Sequence, residues 1–200
     1  AWYEGGLYHD NEPWGVPSLW LNSWYDISVG PNLALFNHVR ENGLDAETRD
    51  HQYAMVAPVT HCAFTRADEN TVVGDRDVGD ARWEYADLIY GWFDHWLKDG
   101  DTEVDQWAPY RIFVMGRNQW RDEQEWPLAR TRWTKFYLDP ARRMLQEKPP
   151  AAETKISYRT MSDGVTFITA PLAEETEITG PVALKLFLAS STIDADVFAV

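Results

Sequence analysis

The chain contains a single cysteine, Cys62, so it can close no internal disulfide and offers no two-cysteine zinc pattern. One thiol fits a reducing compartment, which leans to the cytoplasm without fixing it. Basic residues are scarce: 18 Lys and Arg stand against 32 Asp and Glu, giving a formal charge of −14 and a sequence pI near 4.6. A polyanion site needs a basic stripe to displace counterions, so nucleic acid is excluded as a partner and the charge reads as a solvated acidic surface. No apolar run approaches the roughly 18 residues that would read as a membrane span, and there is neither an internal repeat nor a low-complexity tract. None of the twelve glycines is followed two positions later by serine. The G-x-S-x-G nucleophile elbow is therefore absent from these residues.

What is present is ample core material. Hydrophobic residues make up 44% of the 200 positions, including eleven Trp, nine Tyr and eight Phe, enough for one large domain or parts of two. The chain opens at Ala1 with no initiator Met and no basic-then-apolar leader. It stops at Asp196-Val-Phe-Ala-Val200 inside an apolar alternation. We expect it to be part of a longer protein.

Residues 1–15 are aromatic and turn-rich, without a clean period. Val16 to Leu21 is nearly continuous in apolar residues, which suits a strand buried on both faces of a parallel sheet. Gly30-Pro31 then opens a helix, with Leu33, Phe36 and Val39 spaced by three and Asn42-Gly43 at its close. Gln52 to Val56 reads as the next strand. A polar loop over 62–79 follows, after which Asp80 is expected to cap a long helix carrying Trp83, Ala86, Tyr90, Phe93 and Leu97 on one face and ending at Gly100. Strand, helix, strand, helix is an α/β rhythm. Beyond Asp99 to Asp105 the pattern changes to short runs at Tyr110–Met115, Thr134–Leu138, Thr166–Thr169 and Val182–Leu188, separated by turn residues. These predict a second, all-β domain.

Two polar residues sit where chemistry would need them. Asp26 directly follows the run Pro17-Ser-Leu-Trp-Leu-Asn-Ser-Trp-Tyr, and His61 directly follows Tyr53-Ala-Met-Val-Ala-Pro-Val-Thr. Acid then histidine, each after a strand, is the tail of the Ser, Asp/Glu, His order found on α/β sheets. In that arrangement Asp26 would hold the His61 imidazole in one tautomer, and His61 would act as general base. Alone, Asp26 is more often a turn or capping residue than a catalyst, and His61 more often a satisfied loop histidine.

The ordered segments Trp24-Tyr25-Asp26, Val56-Ala-Pro-Val-Thr-His61, Trp92-Phe-Asp-His-Trp-Leu-Lys98 and Phe113-Val-Met-Gly-x-Asn-x-Trp-Arg121 with Trp126-Pro127 resemble the cocaine esterase / X-Pro dipeptidyl-peptidase (CocE/NonD) serine hydrolases. Thr179-Gly-Pro181, Ser190-Ser191 and Asp194-x-Asp196 look like that family's jelly-roll domain. The resemblance implies the end of a cap at 1–15, the C-terminal part of an α/β-hydrolase catalytic domain at 16–104, and an incomplete, galactose-binding-like β-sandwich at 105–200. It further implies Ser-Asp-His hydrolysis of a small acyl ester, amide or peptide, with Asp26 and His61 catalytic, the serine upstream of this chain, and no cofactor or metal. A homo-oligomer is left open. His61 departs from the family's Gly-Pro-Trp frame, having Ala57-Pro58-Val59 before it. The acidic pair with which α-amino ester hydrolases bind an ammonium is also absent after Asp26, where Ile27, Ser28 and Val29 stand.

Other readings are weaker. His9, His38, His51 and His95 lack any such frame and are taken as structural. Asp75, Asp77 and Asp80 lack the glycine position and distal glutamate of a calcium loop. Cys62 invites a cysteine-hydrolase reading, but neighbouring side chains in an extended loop diverge, so the pair is not expected to meet. The alternative from another class is a carbohydrate-binding or subunit-assembly sandwich at 105–200 without catalysis.

Overall fold

The computed structural model describes residues 12–98, 100–162 and 164–199. Most of the segment expected to end a cap, and His9 with it, lies outside the described residues. Two units are present, one from the residues up to 129 together with 180–199, the other from 130–179.

The first unit is built on a four-stranded sheet. Strand β1 (Ser18–Tyr25) leads into helix α1 (Val29–Asn42), then the short α2 (Ala46–Asp50) and β2 (Gln52–Thr60). A hairpin of β3 (Thr71–Val73) and β4 (Arg76–Gly79) precedes α3 (Tyr85–Lys98), and β5 (Tyr110–Val114) and β6 (Gln119–Glu123) complete the unit. The sheet order is β1-β2-β5-β6, with β1, β2 and β5 parallel and β6 antiparallel. The sheet thus runs across position 105, where the sequence suggested a change of domain.

Alternation in the strands explains the layering. Ala54 and Val56 of β2 and Tyr110, Ile112 and Val114 of β5 point to the α1 side, where they pack on Leu33, Phe36, Trp126 and Leu128. Tyr53 points the other way, into Trp92, Val104, Leu19, Trp96 and Trp107. Strand β2 is therefore covered on both faces, and its residues from Gln52 to Val59 are all buried. That is why its sequence is a nearly unbroken apolar run rather than an alternation.

Helix α1 forms as its spacing predicted. Leu33, Phe36 and Val39 are its buried residues, and Gly43 follows its last turn with its amide on the Val39 carbonyl at 2.8 Å. A side chain at Gly43 would meet that carbonyl oxygen at 2.8 Å, so the position is closed to anything larger.

Helix α3 corrects two expectations. Asp80 does not cap it: its carboxylate accepts from the Arg82 backbone and guanidinium, five residues ahead of the first turn. The buried face centres on Trp92, while Tyr90, Phe93 and Leu97 are exposed. Leu88, Ile89, Trp92 and Trp96 make a second apolar stripe, so the helix is apolar nearly all round and periodicity could not choose the inner face.

The second unit contains one ribbon, β7 (Tyr137–Asp139) paired antiparallel with β8 (Met144–Gln146), and a parallel bridge from Met144 to Ile168. The expected strand at Thr166–Thr169 is reduced to that bridge. Val182–Leu188 forms no strand, and all its residues are exposed. Alternation marks a strand only if a neighbour takes up its backbone groups, and none of the strands among the described residues pairs with it. The described chain therefore has mixed sheets and few helices.

Candidate active site

Register brings Asp26 and His61 together. Strands β1 and β2 pair residue for residue from Ser18↔Gln52 to Ser23↔Ala57, and then Tyr25 aligns with Thr60. The extra residue in β2 lies over Pro58 and Val59, at a bulge where a proline costs no ladder bond. Without the shift, Tyr25 would face Val59 and the residues after the two strands would be offset. With it, Asp26 and His61 leave the same end of the sheet side by side. His61 Nδ1 lies 2.5 Å from Asp26 Oδ2, with the Asp26 side chain 11% exposed and that of His61 73% exposed.

The other carboxylate oxygen is held by the start of α1. Ser28 donates its amide and its hydroxyl to Asp26 Oδ1, each at 2.9 Å. Its hydroxyl is therefore turned away from capping the helix. Asn32 Nδ2 reaches the Ser28 hydroxyl at 3.4 Å and donates to buried Asn22 Oδ1 at 3.0 Å. Behind the acid, the Trp24 indole N–H donates to the Phe113 carbonyl at 2.8 Å, tying the end of β1 to β5.

These donors set the charge. The Ser28 amide, then the His61 ring and the Ser28 hydroxyl, hold the Asp26 carboxyl below the ordinary carboxylate range. An ionised carboxylate only accepts, so the Nδ1 contact requires Nδ1 to carry the proton. In the neutral ring Nε2 then presents its lone pair. Cys62 Sγ stands 3.3 Å from that nitrogen. This overturns the expectation that adjacent side chains diverge: Cys62 has left the strand and sits in the left-handed region at φ 54°, so the alternation of an extended chain no longer applies.

The remaining candidates are placed elsewhere. His51 and His95 both face Asp105, at 3.8 and 3.2 Å. His38 lies on α1 with Asn42 beside its ring, 3.3 Å away. Asp77 accepts from the Gly79 amide and Asp80 from Arg82, and among the described residues no three His, Cys, Asp or Glu side chains converge as metal ligands. No described helix is long and apolar enough to cross a membrane. Sequence reasoning passed over Ser28, weighed there only as a non-acidic residue. An aspartate two positions before a serine is the signal of an Asx-type turn that would have found it.

Residues 102–200 match the model of the X-Pro dipeptidyl-peptidase C-terminal non-catalytic domain, a range that excludes Asp26 and His61. The chain is 28% identical to the cocaine esterase of Rhodococcus sp. (strain MB1 Bresler), over 98% of this chain and 39% of that enzyme. Among solved structures, an aminopeptidase from the marine sediment archaeon Thaumarchaeota archaeon superposes with a TM-score of 0.55 at 20% identity, covering 72% of this chain and 23% of its own. A CocE/NonD family hydrolase from Staphylococcus aureus gives 0.43 at 13% identity, over 66% and 21%. The chain is thus related to cocaine esterase, and it spans well under half the length of these proteins. Residues 102–200 resemble the X-Pro dipeptidyl-peptidase C-terminal domain, and nearly the whole chain is similar to part of cocaine esterase.

Proposed function

We propose that the chain carries the acid and base of a serine hydrolase, Asp26 orienting His61 and His61 taking the proton of a serine outside residues 1–200. The observation that carries this reading is the 2.5 Å contact from His61 Nδ1 to an Asp26 oxygen at the shared end of two parallel strands. It leaves Nε2 directed away from the acid, as a general base requires. The substrate class is a small acyl ester, amide or peptide. In the same reading residues 16–104, with β5 and β6 completing their sheet, belong to an α/β-hydrolase catalytic domain, and the remainder of 105–200 to a jelly-roll sandwich. Parallel β1 and β2 with their intervening helix support the first assignment, and the family match over 102–200 supports the second. Because that match is to a non-catalytic domain, a carbohydrate-binding or assembly role suits residues 102–200 as an accompaniment to catalysis.

The experiment is kinetic. In the protein that contains these residues together with its serine, Asp26→Asn should lower kcat by about 10³–10⁴ and His61→Ala by a comparable factor. The double variant should be little worse than the more damaging single one, because such residues act as a unit. Multiplicative losses would contradict the shared role. The 200-residue chain alone should give no sustained turnover of p-nitrophenyl butyrate above a His61→Ala control.

A further inference from the structure

The described residues hold a nucleophile, a base and an orienting acid in one line: Cys62 Sγ to His61 Nε2 at 3.3 Å, and His61 Nδ1 to Asp26 Oδ2 at 2.5 Å. Nothing in the serine reading uses the thiol, yet it stands at the nitrogen that reading assigns to the serine. We propose that Cys62 is a nucleophilic thiol in its own right, activated by His61 and Asp26, that takes an acyl group from activated esters and becomes a thioester.

The geometry meets each requirement. Asp26 is an acceptor on both oxygens, so it fixes the Nδ1–H tautomer and turns the Nε2 lone pair toward the thiol hydrogen. Cys62 is exposed, so an ester can reach it from solvent. Its left-handed backbone is an uncommon conformation for a residue other than glycine, and it is what folds the thiol back onto the neighbouring ring. In the step itself His61 Nε2 accepts the thiol proton as sulfur bonds to the carbonyl carbon. The carbon–oxygen bond to the leaving group then breaks, and the imidazolium returns the proton to the departing oxygen. No oxidant, metal or other reactant is needed. An acyl group on Cys62 would lie against Nε2 and close that nitrogen to any other nucleophile, so the thiol is also a place where the base can be blocked.

The proposal rests on the Asp26–His61 pair but not on the serine. It is read from the mass of Cys62, whereas the serine reading is tested by kinetics of the longer protein, so the two fail separately. The test treats the 200-residue chain with p-nitrophenyl acetate and follows intact mass and peptide maps; as the chain has one cysteine, thiol acylation reports one site. We expect one acetyl group on Cys62, absent in Cys62→Ser, forming at least about tenfold faster than on N-acetylcysteine and about tenfold or more faster than in His61→Gln. Unfolding the unaltered chain in guanidinium should bring its rate down to that of the free thiol, a control that needs no folded variant. A Cys62 that reacts no faster than N-acetylcysteine, or equally fast in folded wild type and folded His61→Gln, overturns the proposal.

Discussion

Ser28 gives both of its hydrogen-bond donors to one oxygen of Asp26. The first turn of α1 thereby fixes the rotamer of the acid and leaves Oδ2 for His61. Ser28→Ala removes the hydroxyl and keeps the amide, the larger of the Ser28 influences. The Asp26 carboxyl should therefore titrate higher than in wild type yet stay below the ordinary carboxylate range. A carboxyl-carbon NMR titration measures it; an unchanged midpoint would show that the hydroxyl is a bystander.

The depressed titration of Asp26 has a definite sign in stability. A carboxyl whose folded value lies below its unfolded one contributes fully above the unfolded value, and the contribution is lost as pH falls through the folded value. Asp26→Asn should thus be less stable than wild type at neutral pH, by an amount that stays level down to about pH 4 and shrinks below it. Urea melts across that range give the curve. A gap that widens on acidification would mean that the carboxylate is not held by its donors.

Core substitutions should rank by layer. Phe36 is fully buried between Trp20 and Tyr110, so Phe36→Ala should cost about 3–5 kcal/mol. On α3, Trp92→Ala should cost a similar amount, whereas Phe93→Ala, half exposed, should cost much less. Equal losses at 92 and 93 would restore the face that periodicity suggested.

Tyr110 carries a buried polar commitment. Its hydroxyl donates to Asn37 Oδ1, while Asn37 Nδ2 donates to the Trp126 carbonyl at 2.6 Å. Burial pushes the phenol up to about 12. Tyr110→Phe keeps the ring and orphans the Asn37 oxygen, which should cost about 1–3 kcal/mol, and a late-ionising phenol seen in spectrophotometric titration of the wild type should be lost in the variant.

The parts of this molecule legible in sequence are those where one local signal points one way. Gly30-Pro31, Leu33, Phe36, Val39 and Gly43 fix α1 together, and the apolar run before His61 was legible as a strand; burial on both faces, expected of Val16–Leu21, belongs instead to β2, because β1 lies at the sheet edge and is mostly half-buried. The face of α3 was illegible because two stripes were apolar. The β3-β4 hairpin was illegible because its few residues carry charge and turn signals, and its one buried apolar strand residue, Val78, packs on Phe113 far along the chain. Of the site, the order of Asp26 and His61 was readable. Their meeting depends on a one-residue shift near Pro58, and the approach of Cys62 on a single positive φ, neither of which leaves a periodic trace.

Asp26 fixes a proton of His61 on Nδ1, and Nε2 is left to accept from a nucleophile. Nitrogen NMR of the histidine-labelled chain tests it most directly, using His61→Gln to assign the signals. The account predicts that His61 is the Nδ1–H tautomer in the wild type and loses that preference in Asp26→Asn; a His61 protonated at Nε2 in both proteins would contradict it.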